Sequence, residues 1–163
     1  MTDQTGCPEC KPRPRAPAEV PGSIRVIRPC DGDTILIDWL PQDPIRDRAR
    51  LMEIDAPERG QVGWNQATAE LARLLSLQPP RVVIASPGLD LRCTCNRVLV
   101  WVWVGSALVN EQLVRAGLAR HYRRFGRTIY THRLAQAELF ARTHRVGLWA
   151  SGVWPAHPQT TRR

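Results

Sequence analysis

The stretch Arg97-Val-Leu-Val-Trp-Val-Trp-Val104 decides the fold class. Leu99, Trp101 and Trp103 alternate with valines, so both faces of this run are apolar. β-Branched and aromatic residues are typical of strands, and a strand that is apolar on both faces must be covered on both. The run is therefore predicted to lie in a barrel wall with a helix packed on its outside.

Four further runs have strand character, and three segments have the apolar period of a helix. Along the chain the order is three strands, a helix, two strands and two helices. Five short strands with interposed helices predict an α+β fold, mainly a β barrel. The predicted form is a five-stranded OB-fold barrel with three helices, an architecture that often binds nucleic acid. The further predicted strands are Ser23–Arg28, Thr34–Leu40, Arg46–Ile54 and Arg81–Ala85, and the predicted helices are Asn65–Leu77, Leu108–Ala116 and His132–Val146.

Three residues mark expected helix ends. Gly117 is a plausible C-cap of the second helix, because glycine readily adopts the left-handed conformation found there. Thr131 is the candidate N-cap of the third helix, and Gly147 is expected to end that helix.

The two ends of the chain differ from this core. Residues 1–22 contain five prolines and little apolar content, and residues 151–163 form a shorter segment of similar character. Both are predicted to be flexible tails around one domain at residues 23–150. The start lacks the apolar run of a secretory signal, and five cysteines do not suggest a disulfide framework. A cytoplasmic location is therefore expected.

The net charge of +8 favours a polyanionic partner, and DNA or RNA is the usual one, although a solvated basic face is the alternative. Residues 115–127 contain basic and aromatic side chains and no acid. This mixture suits a single-stranded nucleic acid, since the charges meet the backbone and the rings stack on bases; a solvated loop with one buried ring is the alternative. The candidate nucleic-acid-binding residues are Arg120, Tyr122, Arg123, Arg124 and Phe125.

Two acidic segments flank the second and third strands. Asp33 ends an Asp-Gly-Asp segment before the second strand, and Asp55 ends the third. With the intervening turn centred near residue 44, an antiparallel hairpin would set Asp33 opposite Asp55. Two unpaired carboxylates repel, so a calcium ion with a carbonyl and waters as further ligands would compensate them. A pair of acidic turn residues is the alternative.

Arg50 and Glu58 lie close to Asp55 in the sequence. Glu58 is near enough to hold or deprotonate a water beside a metal ion. Arg50 could hold a phosphate, or it could simply pair with the carboxylates. Positions five apart on a regular strand point to opposite faces. Arg50 and Asp55 can therefore share one site only if the chain is irregular between them, and we expect a bulge or sharp bend within residues 51–54.

Taken together, these residues resemble the staphylococcal nuclease (thermonuclease-like) family. The resemblance covers about residues 23–150, and the motifs follow one another in the family's order and spacing. They are Asp31-Gly32-Asp33-Thr34, Arg50-x-x-x-x-Asp55-Ala56-Pro57-Glu58, Arg97, Val109-Asn110-Glu111-x-Leu113-Val114-x-x-Gly117-Leu118-Ala119 and Gly147-Leu148-Trp149.

The resemblance implies an OB-fold nuclease that depends on one Ca²⁺ per site and hydrolyses DNA and RNA. In this family water attacks phosphorus and the 5′-oxygen leaves, so 3′-phosphate ends result. A metal acting as Lewis acid, a carboxylate for water and two guanidiniums for developing charge make chemical sense. The implied calcium ligands are Asp33, Asp55 and the backbone carbonyl of Ala56, the implied general base or water-orienting group is Glu58, and the residues implied to neutralise the phosphate are Arg50 and Arg97.

The loop before Arg97 departs from the family pattern. Cys93 and Cys95 stand where the family has an aspartate and an aromatic residue, and Asn96 stands in place of glycine. The departure bears on the grip on substrate more than on the core chemistry.

Two other functional classes compete with an active nuclease. One is a catalytically silent OB-fold module that binds nucleic acid or a protein. The other is a regulatory protein clamped by zinc through Cys7, Cys10, Cys93 and Cys95. A silent relative would be expected to lose members of the carboxylate and arginine set, and all are present, which favours the enzyme. A monomer without a membrane partner is the default expectation.

Overall fold

The five predicted strands and three predicted helices are present, with small shifts at their ends. The computed structural model describes residues 24–39, 45–85, 97–125 and 127–154. The predicted N-terminal tail, the loop before Arg97 that contains Cys93 and Cys95, and residues 155–163 of the predicted C-terminal tail lie outside these ranges. In chain order the elements are β1 (Ile24–Asp31), β2 (Thr34–Trp39), β3 (Ile45–Leu51), β4 (Ile54–Asp55), α1 (Trp64–Leu77), β5 (Arg81–Ile84), β6 (Val98–Val104), β7 (Ala107–Leu108), α2 (Val109–Arg115), β8 (Arg120–His121) and α3 (Thr131–Thr143).

Five strands pair into one mixed sheet in the order β1-β2-β3-β6-β5, and β7 extends it by pairing with β6. All pairs are antiparallel except β3 with β6. The register of β1 shifts at two places, and such irregularities bend a strand. The sheet curls so that the edge strands β1 and β5 approach each other. This half-barrel with three helices confirms the predicted α+β class.

The strand that suggested the fold, β6, is buried along its length. Every residue of β6 is buried except the half-buried Trp103. Its neighbours include α2 and α1, whose apolar stripe contributes Ala67, Leu71 and Leu74 to the core. Tyr130 packs edge-on against Trp101 and Trp103, with ring centroids 4.8 and 5.7 Å away. Both tryptophans therefore belong to packing, as aromatic residues in a two-sided strand are expected to.

The register of the β2–β3 hairpin differs from the prediction. Thr34 pairs with Arg50, so the register is centred on position 42 and not near 44. Asp33 consequently faces Leu51, whose N–H donates to the Asp33 carbonyl at 2.8 Å. The prediction that Asp33 faces Asp55 across the hairpin is wrong.

A sharp reversal at Glu53 separates β3 from β4 and confirms the expected irregularity within residues 51–54. Glu53 has a φ of +58°, a left-handed conformation that L-residues rarely adopt. Its fully buried carboxylate accepts the Thr131 hydroxyl at 2.9 and 3.1 Å. Its carbonyl accepts the Tyr122 N–H at 2.8 Å. Packing from later parts of the chain thus holds a turn that local preference disfavours.

Asn110 joins α2 to both the reversal and β6. Its side chain is fully buried, and its Nδ2 donates to the carbonyls of Met52 at 3.0 Å and Val100 at 3.4 Å. Its Oδ1 accepts the Val102 N–H at 3.1 Å. One amide therefore satisfies three buried backbone groups.

At the end of α2, Ala116 occupies the C-cap position, and Gly117, the predicted C-cap, is the next residue. Gly117 has a φ of +67°, and its N–H donates to the Val114 carbonyl at 3.0 Å. The next N–H, of Leu118, donates to Leu113 at 3.0 Å, which completes the pair of bonds that closes many helices at a glycine.

The predicted ends of α3 are wrong. Tyr130, and not Thr131, occupies the N-cap position, since the Thr131 hydroxyl is bound to Glu53. At the other end, α3 ends at Thr143 with His144 as its C-cap, and Arg145 follows in a left-handed conformation (φ +51°). Gly147, which was expected to end the helix, lies three residues beyond this cap and is itself left-handed (φ +57°). No described helix is long and apolar enough to cross a membrane.

We expect Asn110→Ala to lower the free energy of unfolding by about 3 kcal/mol, because it leaves buried backbone groups without partners. Urea denaturation followed by circular dichroism measures this. Gln112→Ala is the matched control, since Gln112 is a half-buried amide on the same helix whose side chain makes no hydrogen bond to a described residue. Equal effects of the two substitutions would contradict the role given to Asn110.

Candidate active site

Asp33 lies at the centre of a polar cluster at the end of the β2–β3 hairpin. The residue is 4% exposed. Its Oδ1 accepts the Thr34 hydroxyl at 2.9 Å, and its Oδ2 accepts the Ala56 N–H at 3.2 Å. Arg50 Nη1 lies 2.9 Å from the same Oδ2. The carboxylate is thus fixed by strand β2, by the segment after β4 and by a guanidinium.

The Asp-Gly-Asp turn allows this close approach. A Cβ on Gly32 would lie 2.6 Å from the Ala67 Cβ and 2.8 Å from the Ala56 Cβ. Only glycine at this position lets the turn pack against α1 and the segment after β4. The Asp31 carboxylate accepts the Asp33 N–H at 3.1 Å and tightens the turn.

Burial dominates the electrostatics of Asp33. It raises the pKa of the Asp33 carboxyl from 3.8 to about 6, even though Arg50 opposes the shift. The negative charge of Asp31 raises this pKa further. The folded protein therefore holds a carboxylate that would be more stable with additional positive charge nearby.

Arg50 joins the two acidic segments. Its Nη1 contacts Asp33, and its Nη2 lies 3.2 Å from Asp55 Oδ1 and 3.0 Å from the Ile54 carbonyl. The Tyr122 ring flanks the guanidinium, whose Cζ lies 5.8 Å from the ring centroid. The reversal at Glu53 is what lets Arg50 and Asp55 point to one site.

Asp55 has a second cationic partner in Arg120. The two residues pair across β4 and β8, and Arg120 Nη2 lies 2.9 Å from Asp55 Oδ2. Both oxygens of the Asp55 carboxylate therefore contact guanidiniums. The Asp55 side chain is 30% exposed, so it faces solvent more than Asp33 does.

Arg97 reaches the cluster through Thr34. Its Nη1 lies 3.0 Å from the Thr34 hydroxyl, which in turn donates to Asp33. Arg97 directly precedes β6, and the parallel pairing of β6 with β3 brings it to the end of the sheet where Arg50 lies. The two arginines predicted to hold phosphate therefore flank the same carboxylate.

Glu58 is not joined to the cluster by a contact. It is exposed, and its carboxylate makes no hydrogen bond or ion pair with any described residue. Its N–H donates to Gln61 Oε1 at 2.9 Å, and its carbonyl accepts the Gln61 N–H at 2.9 Å. Glu58 thus lies on a short turn after Asp55 with its carboxylate open to solvent.

The donors at the cluster fit calcium better than zinc. Over the described ranges there is no group of three or more His, Cys, Asp and Glu side chains that could hold a metal ion. Asp33 and Asp55 both contact Arg50, so a single cation could reach both, and Ala56 lies beside Asp33 through its N–H. These candidate ligands are all oxygen atoms, and the charge of the buried Asp33 carboxylate is only partly balanced by Arg50. Such a site suits a hard divalent cation. Cys7, Cys10, Cys93 and Cys95 lie outside the described residues, so the zinc hypothesis remains a prediction.

The predicted nucleic-acid-binding segment lies next to this cluster. Tyr122 is half-buried beside Arg50, and its hydroxyl lies 3.4 Å from Arg124 Nη1. Arg123 and Arg124 are exposed on a short 3₁₀ turn. The Phe125 side chain lies outside the described part of the chain.

Sequence reasoning missed several residues that hold the cluster together. Thr34 was quoted only as part of a motif, yet its hydroxyl links Arg97 to Asp33. Glu53 and His121 form a buried pair next to β4, with His121 Nε2 3.6 Å from Glu53 Oε2. Burial lowers the pKa of His121. Trp154, in the segment predicted to be a tail, is 9% exposed. No local pattern pointed to the last three.

The chain is similar in sequence to a protein family and to several known proteins. The family described as "Staphylococcal nuclease homologue" matches residues 48–151. The chain is 30% identical to a thermonuclease of Staphylococcus hyicus over 79% of this chain and 76% of that protein. It is 35% identical to protein ParB of Escherichia coli (82% and 74%) and 31% identical to an uncharacterized endonuclease of Haemophilus influenzae (86% and 73%). The chain therefore belongs to the staphylococcal nuclease homologue family.

Proposed function

We propose that this protein is a calcium-dependent nuclease that hydrolyses phosphodiester bonds of DNA, RNA or both and leaves 3′-phosphate ends. The observation that carries the proposal is the convergence of Asp33, Asp55 and Arg50, with Arg97 joined to the same carboxylate through Thr34. Phosphoryl transfer is accelerated by fixed positive charge on the phosphate oxygens, which arginines supply directly and carboxylates supply by holding a metal ion.

In this proposal Asp33, Asp55 and the Ala56 carbonyl hold the calcium ion. When bound, calcium supplies Lewis-acid stabilisation of charge on the phosphate oxygens. Compensation of the two carboxylates by calcium would also leave the Arg50 guanidinium available to the substrate. The raised pKa of Asp33 supports this assignment, because burial has left its charge only partly balanced.

Glu58 and the two arginines perform the remaining steps. The Glu58 carboxylate accepts the proton of the water that attacks phosphorus, and its exposure leaves it accessible to solvent. Arg50 and Arg97 donate hydrogen bonds to the phosphate oxygens as negative charge develops on them. The bond from phosphorus to the 5′-oxygen breaks, and that oxygen takes up a proton from solvent.

The exposed Arg123 and Arg124 are proposed to contact the substrate backbone. Tyr122 lies beside Arg50, where a base adjacent to the reacting phosphate could meet its ring. This basic segment follows β8 directly. The proposed nucleic-acid contacts therefore lie next to the strand whose Arg120 pairs with Asp55.

We expect Glu58→Gln to reduce calcium-dependent cleavage of labelled single-stranded DNA and RNA by about 100-fold or more, because it removes the proton acceptor and leaves the charge cluster intact. Gel assays with calcium and with chelator measure the rates. Glu70→Gln is the matched control and should cleave as the wild type does, since Glu70 is a half-buried glutamate on α1 that pairs with Arg73.

Each outcome of this assay has a distinct meaning. Cleavage that survives Glu58→Gln would indicate a contaminant or a different base. A wild-type protein that binds nucleic acid but cuts neither substrate would favour the catalytically silent binding module.

We expect Asp33→Asn to stabilise the metal-free protein at pH 7, because burial disfavours the ionised carboxylate, and to abolish stabilisation by calcium. The folded-state pKa of about 6 lies above the usual 3.8, so ionisation of Asp33 disfavours folding increasingly between these values and fully above them. The gain should therefore disappear below pH 3.8, where the carboxyl is protonated in both states. Thermal denaturation across pH, with calcium or chelator, measures both effects.

Asp38→Asn is the matched control for this experiment. Asp38 is also buried in β2, but it pairs with Arg25 at 2.8 Å and Arg46 at 3.6 Å, remote from the cluster. The control should lose stability and retain its response to calcium. A less stable Asp33→Asn protein that still responds to calcium would refute the assignment.

A further inference from the structure

The indole of Trp154 is anchored on the body of the domain. Its Nε1 donates to the Gly117 carbonyl at 3.1 Å, and its backbone N–H donates to the Leu148 carbonyl at 3.4 Å. The Gly117 backbone packs closely against Val146, because a Cβ at position 117 would lie only 2.1 Å from the Val146 carbonyl oxygen. The indole therefore has a defined position although it lies beyond the last helix of the domain.

The Arg120 guanidinium lies over this ring. Its Cζ is 4.6 Å from the Trp154 ring centroid, well within the range of cation–π attraction. An arginine side chain has many rotamers, and an aromatic face that covers its guanidinium reduces their number. The indole therefore restricts where the Arg120 guanidinium can go.

On its other side Arg120 contacts Asp55. The distance from Arg120 Nη2 to Asp55 Oδ2 is 2.9 Å. Strands β4 and β8 have two residues each, so their pairing alone does little to fix these side chains. The Asp55 side chain is 30% exposed, whereas that of Asp33 is 6% exposed. Asp55 therefore depends on its ion pairs, more than on packing, for its orientation.

We propose that Trp154 is a positioning residue for Asp55 and acts through Arg120. The inference rests on the proposed function, in which Asp55 is a calcium ligand. In this inference Arg120 holds Oδ2 of Asp55. The sequence alone suggested that Arg120 contacts nucleic acid. Partners that orient a metal ligand commonly change affinity substantially when removed.

The test is calcium binding by isothermal titration calorimetry on Trp154→Leu, Arg120→Met and the double variant. We expect Trp154→Leu to weaken binding about 10-fold. The double variant should bind no more weakly than Arg120→Met alone, because the tryptophan acts through the arginine. Trp154→Phe keeps an aromatic face over Arg120 and should recover most of the affinity.

A second readout needs neither calcium nor activity. In the metal-free wild type, NMR of the Arg120 Nε–Hε group should show slow rotation of the guanidinium, because it is held by both the indole and Asp55. The rotation should become fast in Trp154→Leu. Trp103→Leu is the matched control, since Trp103 is a half-buried indole whose ring lies near Arg81 and Arg133. It should lower the melting temperature and leave both readouts unchanged.

The outcomes separate this inference from the proposed function. Wild-type protein that neither binds calcium nor cleaves nucleic acid overturns the proposed function, and the inference with it. Calcium binding in wild type that Trp154→Leu leaves unchanged overturns the inference alone, as does an additive double variant. If Trp154→Leu does not fold, unchanged calcium binding by Arg120→Met overturns it equally.

Discussion

The left-handed backbone of Glu53 is the constraint on which the rest of the site depends. In a regular strand Arg50 and Asp55 would point to opposite faces, and no common site could form. Such a conformation costs about 1 kcal/mol or more for an L-residue. Thr131 offsets this by binding the Glu53 carboxylate, and Asn110 by binding the carbonyl just before it. Two helices of the C-terminal half thus hold a turn of the N-terminal half.

Two guanidiniums and two carboxylates share the charge around this turn. Arg50 serves both Asp33 and Asp55, and Arg120 serves Asp55 only. Burial nonetheless raises the pKa of Asp33, so the cluster favours one more positive charge. A fold that keeps such a group at the end of a hairpin gives up stability there, and functional sites are where proteins accept this loss.

Several expectations failed where a contact between distant residues overrode a local preference. The predicted register of the β2–β3 hairpin was wrong because the residues of a turn do not specify which residues of the two strands pair. Thr131 has the side chain of a good N-cap, but its hydroxyl is bound to Glu53. Gly147 was expected to end α3, but the helix ends at Thr143, and Gly147 instead packs against the backbone of Ala116 and Gly117.

The five strands, the three helices, the two-sided burial of β6 and the candidate site residues were all predictable from the sequence. These follow from apolar periodicity and from motifs whose members lie close together in the chain, and both are local properties. How Asp55 reaches Asp33 and Arg50 is a property of the folded chain, since it depends on Asn110 and Thr131, which lie more than fifty positions away. The packing of Trp154 on Arg120 is another such property. No spacing rule encodes such contacts, because they form only when separate elements pack against one another.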